Sequence, residues 1–221
     1  MKKRISSIFC LLALAIISIQ AKDYNVKDYG AIGDGKTLDH IAINATIDTC
    51  VAHGGGRVVL PAGTYLCGSI RMKSNVELHL MTGSKILAAP ASMKAYDEAE
   101  EFEGTAYQDG GHTYFKNSLI YAIGANDVSI TGRGMIDGEG LTRRDTENGG
   151  NLHGGNIGTG DKAIAFKQCR NILIRDVTIY RGGHFGIIVT GCELGTIDNV
   201  IVDTNRDGID IDCCKYLTVS N

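Results

Sequence analysis

Three carboxylates fall within six residues of this 221-residue chain: Asp207, Asp210 and Asp212, in the run Asn205-Arg206-Asp207-Gly208-Ile209-Asp210-Ile211-Asp212. Carboxyl groups can do acid or base work, a carboxylic acid protonating a leaving oxygen or a carboxylate activating water, and Asp207 and Asp210 are the candidates here. Alternate residues of a strand face opposite sides. If Ile209 and Ile211 face a core, Asp210 and Asp212 face outward and Asp207 inward. Asp207 then reaches solvent only if the chain bends at Gly208, which glycine permits. The plainer alternative makes Asp207 a turn residue and Asp210 a solvated strand position. His184 and Phe185 come 23 and 22 residues before Asp207. They could line a ligand subsite, or pack as an aromatic beside a loop histidine.

A second stretch imitates chemistry. Residues 30–37, GAIGDGKT, fit the phosphate-binding pattern G-x-x-x-x-G-K-[ST]. Asp34 would place a negative charge where phosphates should sit, and no apolar strand ending in Asp follows to hold magnesium. No nucleotide is expected. The segment reads instead as a turn into a helix capped by Thr37 or Asp39, with Ile43, Ile47, Cys50 and Val51 as its buried stripe and Gly54-Gly55-Gly56 as its end.

What must position the carboxylates is a repeat. KAIAFKQCRNILIRDVTIYRGG, HFGIIVTGCELGTIDNVIVDTN and DGIDIDCCKYLTVSN align, with Ile164, Ile187 and Ile209 spaced by 23 and 22 residues. Ile174, Ile197 and Val219 keep these steps, as do Cys169, Cys192 and Cys214. The first unit holds three short runs (AIAF, ILI, VTI) and cannot bury its apolar face alone, so units must stack with equivalent strands in parallel. The fold expected is all-β, a right-handed single-stranded parallel β-helix with an N-terminal capping helix over its first winding. A leucine-rich horseshoe has a similar period, but its L-x-x-L-x-L-x-x-N signature is absent. The 29 glycines, two prolines and absence of Trp suit short strands joined by tight turns.

The N-terminus reads as an export signal over residues 1–21: Met1-Lys2-Lys3-Arg4 is basic, Ile5 to Ile19 apolar, and Ala21 a cleavage residue. The apolar run is shorter than the roughly 20 residues of a spanning helix, so a secreted or periplasmic chain without a membrane anchor is expected. Residues 22–221 form one domain. Without the three cations of the signal, the formal charge of −3 becomes −6, which excludes the basic surface nucleic acid requires. Six of the seven cysteines remain after Cys10 is removed. Three recur in register and read as buried thiols; the absence of C-x-x-C and the adjacency of Cys213 and Cys214 argue against zinc. The Asn44-Ala45-Thr46 sequon is discounted on a bacterial-type export signal.

Short strands are expected around Val58, Tyr65, Ile70, Val76 to Leu80 and Ile86. Two excursions interrupt them. Residues 91–117 carry Asp97, Glu98, Glu100, Glu101 and Glu103, then Tyr107, His112 and Tyr114; residues 139–161 carry Arg143, Arg144 and His153. The first is a solvated loop or shapes a cleft; in the second, the arginines are exposed loop residues or bind a carboxylate.

DYGAIGDGKTLD, GGGRVVLPAGTYLCGSIRMKSNVELHL, DVSITGRGMIDGEG and NRDGIDIDCCKYLTVSN together resemble the pectin-active glycoside hydrolases of family 28, the polygalacturonase family. The N-x-D-G-x-D-I element discriminates; the others are shared with pectate-lyase-like and tailspike chains. The resemblance implies inverting hydrolysis of galacturonan-type bonds, with Asp207 and then Asp210 as catalytic candidates. It makes Asn205, Arg206 and His184 the substrate-binding candidates, with no cofactor, no metal, and a pectic polysaccharide or oligogalacturonide as partner of a monomer. Arg206 stands where the family has Thr. The family's Asp-Asp pair, His-Gly turn and Arg-x-Lys would follow Asn221, so the expectation is an N-terminal fragment, truncated at its C-terminal end and inactive alone. A calcium-dependent lyase and a non-catalytic glycan-binding β-helix are the alternatives.

Overall fold

The computed structural model describes residues 22–101, 110–142, 157–204 and 206–221. The expected export signal lies outside them, as do Asn205, Arg143, Arg144 and His153. Strands β1 (Asp23–Asn25) and β2 (Asp34–Leu38) precede helix α1 (His40–Ala52). Windings of three strands follow: β3 (Gly56–Leu60), β4 (Gly63–Cys67) and β5 (Ile70–Arg71); then β6 (Val76–Leu80), β7 (Ser84–Ala88) and β8 (Ile120–Ile123). The next are β9 (Asn126–Gly132), β10 (Met135–Asp137) and β11 (Lys162–Lys167), then β12 (Arg170–Arg175), β13 (Thr178–Tyr180) and β14 (Phe185–Thr190). The last described strands are β15 (Glu193–Asp198), β16 (Ile201–Asp203), β17 (Asp207–Asp212) and β18 (Lys215–Ser220).

Successive strands go in turn to three parallel sheets: the first β1-β3-β6-β9-β12-β15-β18, the second β2-β4-β7-β10-β13-β16, the third β5-β8-β11-β14-β17. The molecule is a parallel β-helix. Register makes each sheet a set of columns. In the third sheet Ile70, Ile120, Ile164, Ile187 and Ile209 stack in one row, and all but Ile209 are fully buried. Val58, Leu78, Ile130, Ile174, Ile197 and Val219 form the matching row of the first sheet. Each fully buried Ile or Leu contributes about 1.5–3 kcal/mol. Val219 and Ile211 are 47% and 42% exposed because the last winding has a neighbour on one side only.

The corners have different tasks. Where the third sheet turns into the first, Cys169, Cys192 and Cys214 stack with thiols donating to carbonyls such as Ala122 O, Phe166 O and Val189 O. All six described cysteines are free thiols. Both excursions leave at the corner between the second and third sheets, between β7 and β8 and between β10 and β11.

α1 covers the first winding with Ile43, Thr46, Ile47 and Cys50. Val51, expected in that stripe, is 36% exposed; the stripe runs through Thr46 at i, i+3 from Ile43, and Val51 falls on its margin. Asp39 is the N-cap residue, yet its side chain makes no capping bond. Its carboxylate instead accepts from Ile32 N and Gly33 N at 2.6 and 3.0 Å, while Asp34 accepts from Lys36 N and Thr37 N, both at 2.8 Å. The amides of residues 32, 33, 36 and 37 are thus turned to the chain's own carboxylates, and those of residues 30 and 31 to backbone carbonyls. The amide of Asn44 is engaged at both ends, by Ser69 O and Arg71 N.

Candidate functional site

Asp207 opens β17 directly opposite Phe185 in register. Phe185 packs in a small cluster with Phe115, Ala165 and Ile188, separate from the main core, whereas Ile187 lies in the main core. Two residues of one strand that should share a face therefore do not. The reversal occurs at Gly186 and Gly208, where the two backbones pass closely: a Cβ on Gly186 would stand 2.7 Å from Gly208 O and 2.8 Å from Val202 Cγ1. The bend turns Asp207 outward, its side chain 51% exposed. Asp210 and Asp212 face the same way, with side chains 26% and 30% exposed.

Described residues of the 91–117 excursion, Asp97, Glu100, His112 and Phe115 among them, lie on this outer face. Phe115 is fully buried. Glu100 accepts from Phe115 N and Lys116 N, both at 2.9 Å, and Lys167 stands 3.6 Å from Glu100 and 5.1 Å from the centre of the Phe115 ring. Asp97 accepts a forked pair from Arg71 at 2.7 and 2.6 Å and a bond from the Tyr121 hydroxyl at 2.8 Å. Burial pushes the Asp97 carboxyl up, but Arg71 and Tyr121 outweigh it and hold the group below its ordinary value.

Held this way, the excursion delivers His112 to the carboxylates. Its Nδ1 is 2.5 Å from Asp212 Oδ2 and its Nε2 is 3.7 Å from Asp210 Oδ2; its ring meets Phe185 edge-on, 5.0 Å between centres. Burial, with repulsion from Asp212 and Asp207, raises the Asp210 carboxyl above its ordinary value, although His112 opposes this. His112, Asp210 and Asp212 each offer a ligand atom within 4.8 Å of the others, the group among the described residues with metal-ligand spacing. An imidazole among the ligands suits a transition metal better than calcium, which takes oxygen.

His184 is fully buried and packs edge-on against Phe185 at 4.4 Å. Its Nδ1 is 2.5 Å from Arg206 Nη1. Guanidinium only donates, so Nδ1 accepts and the ring proton sits on Nε2. Arg206 also stands 3.6 Å from Asp207 Oδ2. The structure thus sets His184 beneath Arg206 and Arg206 beside Asp207, an order of support that spacing alone did not give. His184 N donates to Asp161 O at 2.7 Å, and the Asp161 carboxylate pairs with the fully buried Lys162. Sequence reasoning missed His112 and the Asp161–Lys162 pair as members of the site. His112 is 100 residues from Asp212; the one available signal was an excursion at the corner that also carries Asp207.

The family described as rhamnogalacturonase A/epimerase, pectate lyase-like, matches residues 24–221. Over 90% of its length the chain is similar to the exo-poly-alpha-D-galacturonosidase of Dickeya chrysanthemi, at 28% identity across 40% of that protein. It is similar to the exopolygalacturonase of Platanus acerifolia at 26% identity, covering 90% of this chain and 49% of the other. The solved structure of a hyperthermoactive exopolygalacturonase from Thermotoga maritima superimposes with TM-score 0.72 at 26% identity, covering 90% of this chain and 51% of that one. The chain spans about half the length, or less, of these relatives.

Proposed function

The chain belongs to the rhamnogalacturonase A/epimerase, pectate lyase-like family, and from that premise we propose that it serves a polygalacturonase-like glycoside hydrolase acting on pectic polysaccharide by inversion. The observation that carries this reading is the outward corner in which Asp207, Asp210 and Asp212 converge beneath His112. Inverting hydrolysis needs one carboxyl that donates a proton to the leaving oxygen and one that activates water on the opposite face of the sugar. Asp210, whose carboxyl is pushed above its ordinary value by burial and by its acidic neighbours, is the candidate donor. Asp207, half-exposed and braced by Arg206, fits the water-activating group. Arg206, with Asn205 next to it in sequence, contacts the substrate; His184 acts as a positioning residue that holds Arg206.

The excursion adds direction. On the outer face of the third sheet Asp210 is in register with Ile188 and Ala165, and both are fully buried beneath the Phe115 cluster. A polymer lying along the column is stopped there, so attack runs from a chain end. The protein works as a monomer outside the cytoplasm, delivered by the basic-then-apolar sequence of residues 1–21.

The test offers polygalacturonate to the 221-residue chain and to the longest translation product of its gene, and follows products by proton NMR. From the long product, new reducing ends of inverted anomeric configuration, released as short units and lost in Asp207→Asn, are expected; from the 221-residue chain, none. A conjugated unsaturated uronate would indicate a lyase, and tight binding without turnover by the long product a glycan-binding module; either outcome ends the hydrolase reading.

A further inference from the structure

The acidic corner leaves unused a second polar groove, where the first sheet turns into the second. A cleft of about 480 Å³ is lined there by Arg57, His79, Met81, Arg133 and Arg175, with Glu77 and Asp176 among the remaining walls. A second cleft, of about 300 Å³, adjoins it and adds Lys85; Arg133 lines both. In a chain of formal charge −3 this edge gathers three arginines.

They come from three of four neighbouring windings. Arg57 is in β3, His79 in β6, Arg133 follows β9 and Arg175 ends β12, and these four strands are consecutive neighbours in the first sheet. Neighbouring strands lie roughly 4.8 Å apart, so β3 and β12 are roughly 14 Å apart across the sheet; Arg57 is in register with Glu77 and Ser129, while Arg175 stands two and Arg133 four residues further along, so the three cations are staggered around the cleft rather than aligned in one column. The donors are not exhausted. Arg57 gives Nε and Nη2 to Asp23, which leaves Nη1, and Arg175 meets Asp176 through Nε at 3.3 Å. Arg133 has no hydrogen bond or ion pair to any other described residue and is exposed. Glu77 is already answered from within: it accepts from the Thr131 hydroxyl at 2.5 Å, which in turn takes a bond from His79 Nδ1 at 2.8 Å. Met81, 45% exposed, offers an apolar surface for the face of a sugar ring.

We infer that this groove is a second binding site for a segment of a linear polyuronate, its carboxylates meeting the staggered Arg57, Arg133 and Arg175 that line the one cleft. A guanidinium matches a carboxylate in two-bond geometry, and a cleft that gathers three of them selects a polyanion over a neutral glycan. The acidic-polymer class is shared with the hydrolase reading, but the cleft uses no residue of the Asp207 corner.

The test is a backbone-amide NMR titration of the 221-residue chain carrying Asp207→Asn, with decagalacturonate and its fully methyl-esterified form as probes. Expected are saturable shifts at Gly132, Arg133, Arg175 and Asp176 with the acidic probe alone. Affinity read at these amides should fall about three- to fivefold in Arg133→Gln, and further when Arg175→Gln is added, as solvated charge pairs allow. About 0.5 M salt should abolish the shifts. Circular dichroism of both variants should match the parent, since Arg133 and Arg175 are solvated. The inference fails if these amides do not move, if the ester binds equally well, or if Arg133→Gln is without effect. Shifts in the cleft with none at Asp210 or Asp212 would keep it while counting against the hydrolase reading; the reverse pattern would do the opposite.

Discussion

Phe115→Ala should detach the excursion from the third sheet while leaving the windings folded. Phe115 is fully buried, but in a four-residue cluster with Ala165, Phe185 and Ile188 that is distinct from the continuous core. Truncating a buried Phe to Ala costs about 3–5 kcal/mol, and the contact with Lys167 over the ring goes as well. Because the columns of Ile164 and Ile187 lie on the other face of the sheet, the loss falls on local opening rather than on global unfolding. The reporters are the amides of residues 115 and 116, both of which donate to Glu100. At about 1.4 kcal/mol per tenfold, a loss of about 3 kcal/mol speeds their native-state hydrogen exchange about a hundredfold. Exchange at residues 164 and 187 should be unchanged. His112, carried by the same segment, should leave Asp212, and the Asp210 carboxyl should lose the cation that opposes its rise. Equal acceleration at 115, 164 and 187 would mean that excursion and barrel open as one unit. No acceleration at 115 and 116 would mean that Phe115 does not hold the segment. Either result refutes the reasoning.

Gly186→Ala should destabilise by about 1–3 kcal/mol in urea unfolding, because its Cβ would stand 2.7 Å from Gly208 O, whereas Gly208→Ala, with 3.7 Å to Val202 Cγ1, should cost less than about 1 kcal/mol. The Asp210 carboxyl should titrate above the ordinary value of 3.8, from burial first and the Asp212 charge second, and Asp212→Asn should lower it in carbon-detected NMR. The folded state then holds that proton more tightly than the unfolded chain, so the contribution of Asp210 to stability falls as pH rises from 3.8 through the folded value. Asp210→Asn should consequently raise the thermal midpoint at pH 7, and an unchanged or lower midpoint would contradict this. Asp97 has the opposite sign: its carboxyl is depressed, so its stabilisation is present above 3.8 and lost as pH falls through the lower folded value. Exchange at residues 115 and 116 should therefore quicken in acid before exchange at 164 does. A thiol reagent in native buffer should modify exposed Cys213, while buried Cys50, Cys67, Cys169 and Cys192 should react only on unfolding; rapid native labelling of Cys169 or Cys192 would argue against the stacked column.

The amino-acid order alone determined the winding. Steps of 23 and 22 residues between Ile164, Ile187 and Ile209 leave stacking as the way to bury those side chains, and the structure pairs these residues in register. The same order made Asp207 and Asp210 candidates and tied an outward Asp207 to a bend at Gly208, because side-chain alternation is a local property of extended backbone. Tertiary structure decided which side chains meet. His112 reaches Asp212 across 100 residues, through an excursion with no repeat to phase it, and it does so because both excursions leave at the corner where Asp207 emerges. His184 gave no sign in sequence that it would be buried under Arg206, since its depth is set by Phe185, Asp161 and Lys162 packed around it. The arginine cluster was equally hidden: Arg57, Arg133 and Arg175 are separated by 76 and 42 residues, and only the stacking of windings brings them to one edge. Periodicity is written along the chain, whereas the composition of a site depends on what lies one winding above, which local sequence does not carry.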